Sequence, residues 1–266
     1  MKKASISLAV LVSILPSLSA SAFSFDSYSQ IVAAAQQVDK KLVKVMNPTE
    51  EINFHSVKQL PYRANRLQSI YSKYGRSIPS KVKMVLSKKG YDQTQFVLRE
   101  GGFGKLLVNN LPSTYEALYE AADQEVELEI KLALTSYLTH VTVQAYQPIS
   151  KVVFFDHRQF SRGDGGGLKY CIYKGKNNMP DCQYNIRQYW FTYLDGYSPE
   201  VNILPPLPID TVVENAANLA PNAYSVRVYA VPSLAYRENT WNILSEQANL
   251  AASHILHIWR DLYSTD

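Results

Sequence analysis

The sequence lacks every short motif that marks a common class of enzyme or cofactor site. It contains no G-x-S-x-G nucleophile turn, no H-E-x-x-H zinc helix, no phosphate-binding P-loop, no G-x-G-x-x-G dinucleotide fingerprint and no EF-hand calcium loop. Cysteine is scarce, with 2 in 266 residues, and the two do not form a C-x-x-C pair. These absences disfavour serine hydrolases, zinc proteases, nucleotide-driven enzymes and zinc ribbons. We therefore expect neither a cofactor nor a metal.

Long apolar runs are also missing, except at the amino terminus. Two lysines precede an apolar stretch from Ala4 to Leu18, and the small residues Ala20-Ser21-Ala22 follow it. This order of positive charge, apolar core and A-x-A site predicts a cleavable signal peptide of bacterial type over residues 1–22. No later stretch approaches the ~20 apolar residues of a membrane span. We expect residues 23–266 to form one exported domain without a transmembrane segment, periplasmic or secreted.

Export would place the two cysteines in an oxidising compartment. Cys171 and Cys182 are separated by a run rich in Lys, Gly and Asn, which is typical of a hairpin tip. An even pair in an exported protein is most simply a disulfide. No neighbouring histidine or further cysteine completes a zinc ligand set. We predict a disulfide bond between Cys171 and Cys182.

Hydrophobic periodicity predicts a helical amino-terminal half. Apolar residues recur at helical spacing from Ile31 to Val45, after a capping-box pattern that begins at Ser27. Further helices are predicted over 62–74, over 79–89 and from Ser113.

A two-residue alternation predicts strands in the carboxy-terminal half. Residues 126–134 alternate between apolar and charged side chains, although their composition also suits a helix. The remaining predicted strands cover 141–145, 152–155, 168–173, 183–193 and 225–231. A helix is predicted over 210–219, and apolar residues from Trp241 to Leu262 recur at spacings of three and four. The predicted fold class is α+β, with a helical N-terminal half, a mostly antiparallel sheet in the C-terminal half, and a long C-terminal amphipathic helix packed on that sheet.

Charge is divided between the two halves. Residues 23–112 hold 14 Lys and Arg against 6 Asp and Glu, a net charge of +8, whereas residues 113–266 hold 11 against 17, a net charge of −6. A finer expectation is therefore a basic helical part followed by an acidic, sheet-containing part.

The basic helical surface, interleaved with tyrosine, suits an anionic polymer, membrane headgroups or an acidic protein. Alternatively, its lysines are ordinary solvated residues, and the acidic half neutralises them within the fold. Nucleic acid is disfavoured because no recognised binding motif accompanies the charge. The predicted binding residues are Arg63, Arg66, Lys73, Lys81, Lys83 and Lys88.

One segment favours catalysis. Asp156-His157-Arg158 follows a predicted buried strand and precedes a glycine-rich loop that contains Asp164. Polar residues at such a place are common in active sites, and a histidine near acids can act as a general base. However, Asp156 and His157 would point to opposite sides of a strand, and Gly-Asp-Gly-Gly-Gly is also an ordinary hairpin connection. His254 and His257, three apart on the final helix, are interpreted as solvated or half-buried rather than as metal ligands.

These observations support two functional hypotheses. The leading one is an exported, non-enzymatic binding or assembly protein of the bacterial cell envelope or extracellular space, which contacts an anionic protein or envelope component through the basic helices. A hetero-oligomer formed through the C-terminal helix is part of this expectation. The alternative is a secreted hydrolase or toxin-like enzyme with a site around Asp156, His157 and Asp164, joined by His55 or His140 from elsewhere in the fold. Tyrosine is abundant, at 19 residues against 9 Phe, and suits half-buried faces and binding surfaces alike.

Overall fold

A computed structural model describes residues 23–46, 96–99, 102–106, 111–124, 128–154, 159–160, 163–173, 184–203 and 205–263. Several predicted features lie outside these residues: the signal peptide, the helices 62–74 and 79–89, the six basic binding residues, His55, and Asp156, His157, Arg158 and Cys182.

Helices dominate the described residues. The α-helices are α1 (Phe25–Val38), α2 (Lys40–Met46), α3 (Leu111–Asp123), α4 (Leu128–Ala145), α5 (Ile186–Thr192), α6 (Ile209–Leu219) and α7 (Leu234–Tyr263). Short 3-10 helices cover Pro148–Lys151 and Ala220–Ser225, and the strands are β1 (Phe96–Arg99), β2 (Gly102–Leu106) and β3 (Val152–Phe154). None of the helices within the described ranges is long and apolar enough to span a bilayer.

The first predicted helix is divided in two by Asp39. The Ser24 side chain accepts a hydrogen bond from the N–H of Ser27 (3.0 Å) and so caps the start of α1. The backbone then leaves helical geometry at Asp39, with φ −134° and ψ 78°. The Asp39 carboxylate accepts from the N–H of Leu42 (3.1 Å) and starts α2, and it also pairs with Arg260 of α7 at 3.3 Å.

The prediction of strands over 126–134 and 141–145 is wrong, because α4 covers residues 128–145. Its residues from Leu134 to Ala145 are all buried, so the helix has no polar face that would reveal the helical period. Three hydroxyl groups in α4 bond back to carbonyl oxygens four residues earlier, at 2.8–3.0 Å: Thr135, Ser136 and Thr142. Composition favoured the helix, whereas the short alternating pattern was misleading.

The predicted mostly antiparallel sheet of the C-terminal half is also wrong. Residues 186–192 form α5, which begins with a capping box between Asn185 and Gln188. Residues 168–173 contribute one isolated antiparallel bridge, Cys171 to Asn185, and residues 225–231 form a 3-10 end and a turn in which Tyr229 has φ 59°. Within the described residues, β3 is the strand of this half, and it lies parallel to β1, which pairs with β2 in antiparallel fashion.

The C-terminal helix is confirmed as the longest described element, and it organises the core. Of the predicted apolar stripe, Leu244, Ala248, Ala251, Ile255, Ile258 and Leu262 are buried. The stripe packs within the chain, against α1, α2 and α4. Trp241 is the exception, since 43% of it is exposed. The helix from about 113, the strand from Val152 and the helix over 210–219 are confirmed as well.

Candidate functional site

Asp164, the described member of the predicted catalytic group, is completely buried. Its Oδ1 accepts hydrogen bonds from the backbone N–H groups of Phe154 and Gly166, both at 2.9 Å. Its Oδ2 accepts from the N–H of Gly167 (2.8 Å) and from the hydroxyl of Tyr224 (2.9 Å). Burial raises the pKa of the carboxyl, and these hydrogen bonds oppose that rise. The carboxylate has about four acceptor positions, and structural donors already take four hydrogen bonds, which leaves no acceptor direction for a substrate.

The glycine-rich loop around Asp164 is held close against α5. Gly167 has φ 87°, a conformation that favours glycine. A Cβ added there would lie 3.0 Å from Cγ2 of Ile186 and 3.1 Å from the backbone nitrogen of Arg187. The loop is therefore a tightly packed structural turn, and its glycines allow this close approach.

Two buried cations, which the sequence did not predict, lie near this loop. Arg187 of α5 is 6% exposed and Lys151 is 1% exposed. Burial lowers the pKa of Arg187, while the charges of Tyr224 and Asp164 raise it. The Arg187 guanidinium lies 5.0 Å from the ring centre of Phe191, in a cation–π contact. We call Lys151, Asp164 and Arg187 the polar centre.

Lys151 donates a hydrogen bond to the last turn of α4. Its Nζ donates to the carbonyl oxygen of Gln144 (2.5 Å), in the last turn of the helix, and to Oγ of Ser150 (3.2 Å). The amino group is therefore a second donor to a carbonyl that also accepts from the N–H of Gln147 (3.1 Å), at the negative end of the helix dipole. Burial and then the charge of Arg187 lower the pKa of Lys151 to about 7.

The two described histidines of the core are structural as well. His254 of α7 contacts the hydroxyl of Tyr115 through Nε2 (3.1 Å) and the hydroxyl of Tyr146 through Nδ1 (3.0 Å), which joins α7 to α3 and to the end of α4. Burial, and then the charge of His257, lower the pKa of His254 to about 4. Burial also lowers the pKa of His140, whose ring lies 5.6 Å from that of Tyr28, to about 3. Both rings are neutral at neutral pH.

The polar centre has none of the features of a metal or substrate site among the described residues. In the ranges that the structure covers, no three His, Cys, Asp or Glu side chains converge as metal ligands. None of the three cavities found along α5 and α7 is lined by Lys151, Asp164 or Arg187. The centre thus holds α4, β3 and α5 together from inside the protein.

A different feature faces solvent: a groove between α5 and the amino-terminal end of α7. It has two parts, with volumes of about 450 and 510 Å³, that share Tyr193 and Arg237 in their walls. The first part is also lined by Tyr173, Tyr184, Tyr189, Thr192, Val231 and Pro232, and the second by Leu234, Glu238, Trp241 and Asn242. We call these residues the tyrosine groove.

Aromatic rings follow one another across the groove. The ring centres of Tyr184 and Tyr189 are 6.0 Å apart, those of Tyr189 and Tyr193 are 4.9 Å apart, and those of Tyr193 and Trp241 are 6.4 Å apart. Tyr197 extends the row beyond Trp241 by 5.3 Å. Several apolar side chains at the rim are unusually exposed for their type: Val231 (52%), Leu234 (63%) and Trp241 (43%).

The groove also offers hydrogen-bond donors. Arg237 supplies a guanidinium, Asn242 an amide and Trp241 an indole N–H. The buried hydroxyl of Tyr189 lies beside that of Tyr193 without a well-aligned hydrogen bond, and burial followed by this contact raises the pKa of Tyr189. Apolar ring faces with donors at their edges are typical of binding surfaces.

The sequence reasoning missed this groove, although one signal pointed to it. The abundance of tyrosine was noted, but residues 183–193 were taken as a strand, which distributes Tyr189 and Tyr193 differently from a helix. Of the predicted site residues, the structure describes Asp164, Cys171 and His140, and it places His140 in the core against Tyr28. Cys171 is 4% exposed, and because Cys182 lies outside the described residues, the disulfide stays a prediction.

Comparison with known proteins adds no relative. No protein-family model matches the chain, and none of the curated proteins or solved structures matches it. Inference about function therefore rests on the chemistry of the chain itself.

Proposed function

We propose that this chain is an exported, non-enzymatic protein that binds a partner as part of an assembly in the bacterial cell envelope or extracellular space. The observation that carries the proposal is the tyrosine groove, where a row of aromatic rings and exposed apolar side chains faces solvent. Burying apolar surface of this kind lowers the free energy by about 25 cal/mol per Å². Covering the groove with a partner is therefore favourable.

The state of Asp164 supports binding over hydrolysis. A general base needs a free acceptor position within reach of a substrate proton. Asp164 is buried and accepts hydrogen bonds from four donors of its own chain. Its role is to fix the loop after β3, and this loop in turn supports α5 and the groove wall that α5 carries.

The anionic partner is a second element of the proposal. It rests on the net charge of +8 over residues 23–112, with contacts through the six basic residues named above. Reversing Arg63, Arg66 and Lys73 to Glu should weaken partner capture steeply at low salt and much less at high salt. Unchanged capture at low salt would remove the basic residues from the proposal.

Site-specific photo-crosslinking in the native envelope tests the groove. A photoreactive residue at Asn242, in the groove, should give discrete adducts that disappear when Tyr193→Ala is added. The matched control places the same residue at Lys44, an exposed position on α2. Identical adducts from both positions, or adducts at Asn242 that persist in the Tyr193→Ala chain, would show that the groove is not the binding surface.

A further inference from the structure

The chain displays a proline-rich segment on its surface, between Glu200 and α6. Residues 205–208 read Pro-Pro-Leu-Pro and belong to no helix or strand. Proline fixes φ near −65° and pushes the preceding residue towards extended geometry, so this pattern favours a polyproline II conformation. Pro208 has φ −52° and ψ 142°, in agreement with it. Ile203 and Leu207 are 72% and 50% exposed, respectively, which leaves the segment's apolar surface uncovered.

The chemistry of this segment is complementary to that of the tyrosine groove. Three of its four residues from 205 to 208 are prolines, which have no N–H, so the segment presents carbonyl acceptors and few donors. The groove presents donors and aromatic faces, the combination that binds polyproline II segments in aromatic-lined grooves. In that conformation Pro205 and Pro208 would be about 9 Å apart, which lies between the lengths of one ring step and two ring steps in the groove.

The charged residues beside the segment also complement a charge in the groove. Glu200 and Asp210, both exposed, flank the segment. Arg237 lines both parts of the groove and offers a cation to these carboxylates, whereas the acidic Glu238 lines only the part beside Trp241.

The segment of a given chain is far from the groove of the same chain. The N–H of Asn202 donates to Oγ of Ser253 (2.9 Å), and Ile203 and Pro205 share a cavity with Leu256 and Arg260, all towards the end of α7. The groove lies at the start of α7, over residues 234–242. At 1.5 Å per residue the two sites are roughly 20 Å apart along the same rigid helix. An intramolecular contact is therefore excluded.

We infer that the tyrosine groove binds the proline-rich segment, residues 205–208, of a second copy of this chain. The contact is head to tail, because each copy offers a groove at one end of α7 and a segment at the other. Two copies that each insert their segment into the groove of the other close as a two-fold dimer, whereas copies joined in one direction only build rings or filaments. This inference rests on the proposed assembly function and names the partner of its groove.

Tryptophan fluorescence tests the binding directly. Trp190 and Trp259 are 0% and 1% exposed, so a change in emission on adding a ligand reports Trp241, which lies in the groove. A synthetic peptide with the sequence of residues 200–210 should shift this emission to the blue and saturate. The same peptide with its three prolines replaced by Ala should bind at least about tenfold more weakly, as should the original peptide added to the Tyr193→Ala chain.

Sedimentation of the chain from residue 23 onward tests the head-to-tail geometry. The average mass should rise with concentration above that of the monomer. Tyr193→Ala removes the groove, Leu207→Asp removes the segment, and each variant alone should stay monomeric. An equimolar mixture of the two should form a one-to-one dimer, since it contains one intact groove and one intact segment. Val45→Asp is the matched control: its side chain is 53% exposed, as Leu207 is 50% exposed, and it should associate like the unmodified chain.

The outcomes separate the inference from the proposed function. A chain that is monomeric at every concentration, or a variant mixture that fails to dimerise, overturns the head-to-tail contact. If oligosaccharides shift the Trp241 emission and the peptide does not, the groove binds a saccharide; the inference then fails and the binding function stands. Thermal melting of each variant within a few degrees of the unmodified chain verifies folding. Trp241→Ala, at an exposed position, replaces Tyr193→Ala in sedimentation if the latter does not fold.

Discussion

Replacing Lys151 with Met should change how the stability of this protein depends on pH. Lys151 is 1% exposed, and its pKa is about 7 in the folded chain. In the unfolded chain a lysine has a pKa of about 10.4. Between these values the unfolded chain holds more protons than the folded chain, so the free energy of unfolding rises with pH. The penalty for burying the ammonium is fully present below pH 7 and is relieved as the pH rises through that window.

The size of the effect follows from the two pKa values. Each unit of difference corresponds to 1.36 kcal/mol, so from pH 6 to pH 9 Lys151 should raise the free energy of unfolding by about 2–3 kcal/mol. Lys151→Met keeps the length of the side chain and removes this dependence. It also removes the hydrogen bond from Nζ to the carbonyl of Gln144, which still accepts from the N–H of Gln147 (3.1 Å), at a cost of about 1 kcal/mol that does not vary with pH.

Urea unfolding of both chains at half-unit steps from pH 6 to pH 9 measures the difference. The window avoids the buried tyrosines, whose pKa values lie above 10. The buried histidines take up protons near pH 6.5 in the unfolded chain, and this contribution cancels because it is the same in both chains. The stability of the variant relative to the unmodified chain should fall by about 2–3 kcal/mol across the window. A constant difference at all pH values would refute the assignment of Lys151 as a buried lysine that is neutral above pH 7.

Three further substitutions, with Gly196→Ala as the control for the first, test the buried core. Gly167→Ala should lower the free energy of unfolding by about 3 kcal/mol, from overpacking and positive φ, whereas Gly196→Ala, at φ 83° with open space around it, should cost only about 1 kcal/mol in the same urea titration. Asp164→Asn turns an amide towards existing donors and should cost about 3 kcal/mol or more, measured by thermal melting. As the pH falls from 6.5 to 4, the free energy of unfolding decreases in part because His254 is protonated at a higher pH in the unfolded chain than in the folded chain. His254→Phe should make this decrease less steep, and an unchanged pH dependence in this range contradicts the prediction.

The helices that could be predicted from the sequence are those with one side exposed to solvent. Helices α6 and α7 each expose a polar side, so the apolar period of their sequences was visible. Helix α4 is buried along most of its length, so its sequence shows no helical stripe, and a chance alternation around Glu129 suggested strands. Its composition was the better guide.

The prediction of short elements failed for a different reason. Residues 186–192 are rich in Tyr, Trp, Phe and Thr, which favour strands, yet they form α5 because Asn185 and Gln188 cap it and its apolar residues pack inward. The capping pair was the local signal that identified the helix. Without α5, neither the buried position of Arg187 nor the contact between the rings of Tyr189 and Tyr193 could be foreseen.

The site itself depends on contacts that are distant in sequence. The groove combines Tyr173, α5, Pro232 and the start of α7, and no local pattern predicts that these meet. Lys151 resembled an ordinary surface lysine, since only the packing of α4 and α5 around it reveals its burial.

The short helix α5 has a consequence for how this protein can change over time. Ile186 and Arg187 in its first turn pack against Gly167 and enter the polar centre, while Tyr189 and, directly after the helix, Tyr193 line the groove. Mutations on α5 therefore risk the fold whenever they alter specificity. The opposite wall is formed by exposed side chains such as Leu234 and Trp241. These side chains can change without disturbing the packing of the core. New binding preferences should thus evolve, or be selected in a library, on the α7 wall while the α5 wall stays fixed.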